Sequence, residues 1–227
     1  MITVEVLRVF TDADGAYGNP LGVVVDGAAV PDERQRQKLA ADLAFSETVF
    51  VDDVEHCRLQ IFTPVVELPF AGHPTVGAAW LLARERGSAI TILNTRAGPV
   101  TTWRRDEQVW VRGDLAYTPP WWHERLPTAA AVAQLRAPLD PNQDATQLWA
   151  WQDQAAGTVR ARVFAARYGC DEDEACGSAC MRLAAALGQP VTIHHGKGSV
   201  IYARPGPPGT ADIGGLVVSD GTIKRSP

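Results

Sequence analysis

Glu47 lies in Phe45-Ser46-Glu47-Thr48-Val49-Phe50, where a helical pattern gives way to a strand. A carboxyl set among Phe45, Val49 and Phe50 is shielded from water, which raises its pKa toward values useful for moving a proton; the competing reading is a solvated turn acid. His73 stands in Ala71-Gly72-His73-Pro74, which opens an apolar helix. Proline is tolerated there because its missing N–H would have no intrahelical partner, and the free N–H groups of such an opening attract carboxylates and phosphates. His73 reads either as a capping or surface histidine or as a group that holds substrate and shuttles a proton. A second opening, Cys176-Gly177-Ser178, follows the acidic run Asp171-Glu172-Asp173-Glu174. That run is either a solvated loop or the source of one carboxylate that orients a substrate amine or hydroxyl. Cys176 is either a thiolate base, its pKa lowered by the helix start, or a small buried residue, while Cys180 reads as core. Gly196-Lys197-Gly198-Ser199 is too short for a phosphate loop and reads as a hairpin turn.

The elements that must position these groups follow from periodicity and turn residues. Val4 to Phe10 and Leu21 to Val25 read as strands separated by a loop with Asp14-Gly15 and Gly18-Asn19-Pro20. Pro31-Asp32-Glu33 starts a helix that runs to about Leu43. Short strands follow at Val49 to Val51 and Arg58 to Phe62, then the helix after Gly72, ending near Gly87. Strands are expected at Ile90 to Asn94, Val100 to Trp103 and Gln108 to Arg112. Tyr117-Thr118-Pro119-Pro120-Trp121-Trp122 reads as a linker, with Trp121-Trp122 either at an interface or packed on its own domain. Beyond it come a short helix from Thr128 to Leu135, strands at Leu148 to Trp151 and Val159 to Ala166, and a helix from Ala179 to Leu187. Strands at Val191 to His194, Ser199 to Ala203 and Leu216 to Ser219 complete the pattern. Gly177 follows Gly72 by 105 residues, near half of the 227-residue chain, so the two halves read as a duplication. Two helix starts facing across a cleft would grip one small anionic substrate. The expected domains are residues 1–116 and 117–227, with the final strands able to pack back on the first.

A formal charge of −5 and 46% hydrophobic residues describe an ordinary globular chain and argue against nucleic acid or anionic membranes as main partners. No apolar run approaches the roughly 18–20 residues of a membrane span. Met1 to Val6 reads as a strand and not as a signal peptide, so a cytoplasmic location is expected. Four cysteines are too few for a disulfide scaffold at this length. Cys170, Cys176 and Cys180, even with His194 and His195 nearby, miss the usual zinc spacings, and no metal is expected.

Taken together, Val9-Phe10, Gly18-Asn19-Pro20, Ser46-Glu47-Thr48-Val49-Phe50, Phe62-Thr63-Pro64, Glu67-Leu68-Pro69-Phe70-Ala71-Gly72-His73-Pro74-Thr75 and the stretch from Glu172-Asp173 to Gly177-Ser178-Ala179 resemble the phenazine-biosynthesis PhzF-like family of the diaminopimelate-epimerase-like superfamily. The resemblance implies an α+β fold of two similar domains, each a β-barrel-like sheet around a central α-helix, with the site between them. It also implies a homodimer without a cofactor. The family's best-studied activity isomerises trans-2,3-dihydro-3-hydroxyanthranilate by moving a proton along a conjugated system. Its acid/base glutamate matches Glu47, and its substrate-contacting residues match Ser46, Gly72, His73, Asp173, Gly177 and Ser178. Three positions depart from the pattern. Ala71 stands where the epimerases carry a first catalytic cysteine, Cys176 where PhzF-like proteins usually carry threonine, and Glu174 where proline is usual. The chain is also shorter than typical members, mostly in its second half.

The expected function is a cofactor-independent isomerase acting on a small carboxylate-bearing metabolite. Glu47, His73 and Asp173 would be catalytic, with Ser46, Gly72, Gly177, Ser178 and Cys176 binding substrate. Two rivals stay open: a one-thiol epimerase or racemase using Cys176, and a non-catalytic metabolite-binding protein.

Overall fold

The computed structural model describes residues 1–143, 145–168 and 170–226. In chain order, the first half contains β1 (Ile2–Thr11), β2 (Asn19–Val24), α1 (Glu33–Leu43), β3 (Glu47–Asp53), β4 (Arg58–Phe62), β5 (Glu67–Leu68), α2 (Gly72–Arg86), β6 (Ile92–Thr95), β7 (Gly98–Arg105) and β8 (Gln108–Asp114). The second contains β9 (Trp122–Arg125), α3 (Ala129–Ala133), β10 (Thr146–Asp153), β11 (Thr158–Ala165), β12 (Cys170–Asp173), α4 (Gly177–Leu187), β13 (Val191–His195), β14 (Ser199–Pro205) and β15 (Thr210–Arg225).

The strands β1-β2-β3-β4-β6-β7-β8-β15 form a ring that closes where β15 pairs with β1, so the first half is an eight-stranded barrel. Helix α2 runs through it. Nearly every side chain from Gly72 to Leu82 is buried, as expected of a helix apolar on all sides. Gly77 permits the close approach: a Cβ there would lie 2.5 Å from Leu21 and 2.9 Å from Val9. Leu7, Leu21, Leu59, Leu81, Leu82 and Leu93 are fully buried around this axis, each contributing roughly 1.5–3 kcal/mol by leaving water.

The second sheet runs β9-β10-β11-β13-β14-β15-β8 and curls around α4. Strand β15 serves both sheets: Thr210 to Gly215 pair with β8, and Leu216 to Arg225 with β1. Helix α1 packs outside the barrel. It is capped by Asp32, whose side chain accepts from the N–H groups of Arg34 and Gln35. It ends at Ala44 in the left-handed conformation, which turns the chain into Phe45-Ser46 and then β3. Among the described residues, no helix is long and apolar enough to cross a membrane.

Two segments differ from the sequence expectation. The second half of the Trp121-Trp122 linker enters β9, pairing Trp122 with Thr146, because the parallel edge of β10 offers its backbone groups a ladder. The acidic run is a strand through Asp173, held on β11 by pairing Val163 with Asp173 and Ala165 with Cys170. Arg162 makes this possible by pairing with Glu172 at 2.6 Å. The hairpin turn at residues 196–198 is observed between β13 and β14.

Candidate functional site

The α2 and α4 starts abut. A Cβ on Gly72 would meet the Gly177 Cα at 3.2 Å, and one on Gly177 would meet the Gly72 Cα at 3.1 Å and the His73 nitrogen at 3.2 Å. Ala71 and Cys176 are the two N-cap residues, and neither side chain caps its helix. The first N–H groups of both helices therefore keep no intrahelical acceptor and converge at one place. Beside them lies a cavity of about 550 Å³. Ser46, Glu47, Ala71, Asp173, Cys176 and Ser178 all line it, whereas Gly72, His73 and Gly177 do not.

Glu47 is the first residue of β3, where the strand emerges from the Ala44 turn. Its side chain is 16% exposed, and its Oε2 lies 3.4 Å from His73 Nε2. Neither of these two atoms has a hydrogen-bond partner. Loss of water, reinforced by the neighbouring Asp173 charge and opposed only in part by the Ser46 hydroxyl, pushes the Glu47 carboxyl up to about 8. His73 is driven the other way, down to about 3, because burial penalises the imidazolium; a hydrogen bond to the Pro20 carbonyl opposes this only in part. The imidazole is thus neutral, with one nitrogen committed to Pro20 and Nε2 left as an acceptor facing a protonated Glu47.

Asp173 ends β12 on the other side of the cavity. Burial raises its pKa, against hydrogen bonds from the Ala175 N–H, the Cys176 thiol and the Asn19 amide. The Asn19 amide donates at 2.7 Å, tying β2 to β12. Ser178 accepts from the Trp121 indole N–H at 2.9 Å, and Trp121 in turn packs on Tyr168. Trp121 therefore packs against its own chain at the cavity, whereas Trp122 is exposed. Cys176 is 4% exposed. Burial and then Asp173 push its thiol well above the ordinary range, outweighing any lowering by the helix start. It is a thiol and not a thiolate at neutral pH. Cys180, on the buried face of α4, takes a weak contact from the Gln147 amide.

The cavity wall carries Glu47, Glu172, Asp173 and Glu174 but no Lys, Arg or His among the described residues. Negative charge on a ligand can thus be met there by neutral donors such as backbone N–H groups and hydroxyls, and positive charge by carboxylates. Sequence reasoning missed Asn19 as the holder of Asp173, Trp121 and Tyr168 as wall, and Arg162 as the partner of Glu172. Contacts between separate elements carry all of these, and no local spacing signals them. Among the described residues no three His, Cys, Asp or Glu side chains group as metal ligands.

Known proteins agree with this architecture. The model of the family described as phenazine biosynthesis-like protein matches residues 7–152. An uncharacterized isomerase of Mesorhizobium japonicum is 43% identical over 131 residues, covering 53% of this chain. That match spans 43% of the Mesorhizobium protein's length, and a 97-residue match to an uncharacterized isomerase of Pasteurella multocida spans 33% of its length. The trans-2,3-dihydro-3-hydroxyanthranilate isomerase of Pseudomonas aeruginosa is 31% identical over 220 residues, covering 79% of this chain and 78% of its own. Among solved structures, a Clostridium difficile protein of the phenazine biosynthesis PhzC/PhzF type superposes with a TM-score of 0.79 at 19% identity, with full coverage of both chains. A hydroxyproline epimerase from Agrobacterium vitis gives 0.61 at 12%, covering 98% of this chain and 91% of its own. These two likenesses establish the diaminopimelate-epimerase-like fold. With the family model spanning well over half of its residues, the chain belongs to the phenazine biosynthesis-like protein family.

Proposed function

We propose that the protein is an isomerase that moves a proton within a small carboxylate-bearing metabolite, using side chains and no cofactor. The observation that carries this reading is the placement of Glu47, with a pKa near 8, in the cavity beside two abutting uncapped helix starts. A carboxyl with that pKa can hold or release a proton near neutrality, the condition for efficient acid/base work. The substrate carboxylate would sit on the N–H groups of Gly72, Gly177 and Ser178, which also stabilise negative charge developing during proton removal. Neutral His73 would accept a hydrogen bond from the protonated Glu47 and hold its proton in place. Asp173, with no cation lining the cavity, favours a substrate that also carries an amine or a hydroxyl. Trans-2,3-dihydro-3-hydroxyanthranilate, the substrate named for the Pseudomonas relative, has the required amine and carboxylate and is the first compound to test. Family resemblance extends the proposal to a cytoplasmic homodimer working in phenazine-type biosynthesis, with residues 1–116 and 117–227 as its domains and the final strand packed back on the first.

The one-thiol racemase is weaker, because Ala71 offers no first thiol and Cys176 is held protonated. The test is turnover in deuterated water by wild type and Glu47→Gln. Deuterium should enter product with the wild type, and the variant should lose at least about a hundredfold in rate. Near-normal turnover by a folded Glu47→Gln would refute the assignment.

A further inference from the structure

Glu174 departs from the family pattern, and its carboxylate is fully occupied within the protein. It accepts from the Lys197 N–H at 2.9 and 2.8 Å, from the Gly198 N–H at 3.3 Å and from the Ser199 hydroxyl at 2.8 Å. The Gly196–Ser199 turn is thus an anion-receiving turn whose anion is supplied by the chain itself. The fit is close: a Cβ on Gly196 would lie 2.3 Å from Glu174, and one on Gly198 would lie 2.5 Å from the Tyr17 ring. The connection continues across the cleft. Ser199 Oγ accepts from the Gly18 N–H at 3.0 Å in a buried setting. The next residue, Asn19, donates to Asp173, and the one after, Pro20, supplies the carbonyl that holds His73.

We propose that Glu174 is a positioning residue that clasps the two sheets across the cleft, fixing the Gly18-Asn19-Pro20 segment and with it Asp173 and His73 around Glu47. It lines the cavity next to Asp173, but its carboxylate is taken up by the 196–199 turn, so its effect is on the placement of the reacting groups and on exclusion of water. The inference rests on the isomerase reading for its consequence but not for its test, which needs no substrate.

The experiment measures amide hydrogen exchange at Gly18, Lys197 and Gly198 together with a 13C-carboxyl NMR titration of Glu47. It is run on wild type, Glu174→Ala and Ser199→Ala. Glu174→Ala should lose about tenfold or more of the protection at all three amides. In that variant the Glu47 midpoint should fall toward the ordinary carboxylate range as water enters. Ser199→Ala should lose protection at Gly18 while keeping it at Lys197 and Gly198, and it serves alone if Glu174→Ala does not fold. Unchanged Gly18 protection in a folded variant, or an unchanged Glu47 midpoint in folded Glu174→Ala, would overturn the proposal. Failure of the isomerase reading would show separately, as full turnover by Glu47→Gln.

Discussion

Glu47 should weaken the fold that holds it, and by an amount that follows from its environment. Its carboxyl is raised from 4.5 to about 8 in the folded protein, so the native state prefers the protonated form. For a raised pKa, the stability contribution is complete below the unfolded value of 4.5 and is lost as pH climbs through about 8. At pH 7 the unfolded carboxyl is almost fully ionised while the native one is still mostly protonated. With about 1.4 kcal/mol per pKa unit, the penalty there is about 3 kcal/mol, approaching 5 kcal/mol above pH 9. Glu47→Gln removes it, since the amide keeps the shape, does not ionise and can donate to His73 Nε2. Urea unfolding at pH 4, 7 and 9 should show wild type and variant nearly equal at pH 4. The variant should then be about 3 kcal/mol more stable at pH 7, through a higher midpoint at unchanged m. A stability difference that does not change with pH would refute the account of Glu47 as a desolvated carboxyl. The same substitution that stabilises should abolish turnover, the signature of a site that function keeps under tension.

His195, fully buried and lowered to about 4, behaves oppositely. A depressed pKa contributes stability that is present above about 6.5 and lost as pH falls toward 4. His195→Asn, whose amide can replace the hydrogen bond from Nδ1 to the Glu174 carbonyl, should recover about 2.5 kcal/mol of the wild-type loss between pH 7 and 4.5 in thermal or urea unfolding. Gly177→Ala places a methyl between the two helix starts and should cost roughly 1–3 kcal/mol of stability. It should also raise the dissociation constant for anthranilate-type carboxylates by about tenfold in calorimetry; unchanged binding would move the carboxylate site elsewhere.

Local chemistry made much of this arrangement readable in advance. Gly72-His73-Pro74 and Cys176-Gly177-Ser178 announce helix starts because the need for small residues and the tolerance of proline are local properties of a first turn. The environment of Glu47 is legible for the same reason, since its apolar neighbours are adjacent in sequence. The acidic run was harder. Asp171 to Glu174 carry charges that suggest solvent, and only residues on other elements reveal otherwise: Arg162 on β11 for Glu172, Asn19 for Asp173, the 196–199 turn for Glu174. Likewise, nothing around Trp121 indicates that its indole N–H reaches Ser178, 57 residues away. Cys176 shows the limit of a single rule: a helix start lowers a thiol pKa, but burial beside Asp173 decides the outcome.

The shared strand β15 has a consequence for how the molecule comes to exist. Ile2 pairs with Arg225, and Val9 with Val217, so the first barrel is shut by residues made more than 200 positions after its opening strand. A chain emerging from the ribosome cannot complete this barrel while β1 alone is available. Instead β1 must wait with one edge unpaired through synthesis of the intervening residues. Contacts so distant in sequence demand a large loop-closure entropy before they return any energy, which slows folding and leaves edges open to other chains. The two halves thus reach their native state together, as one late event.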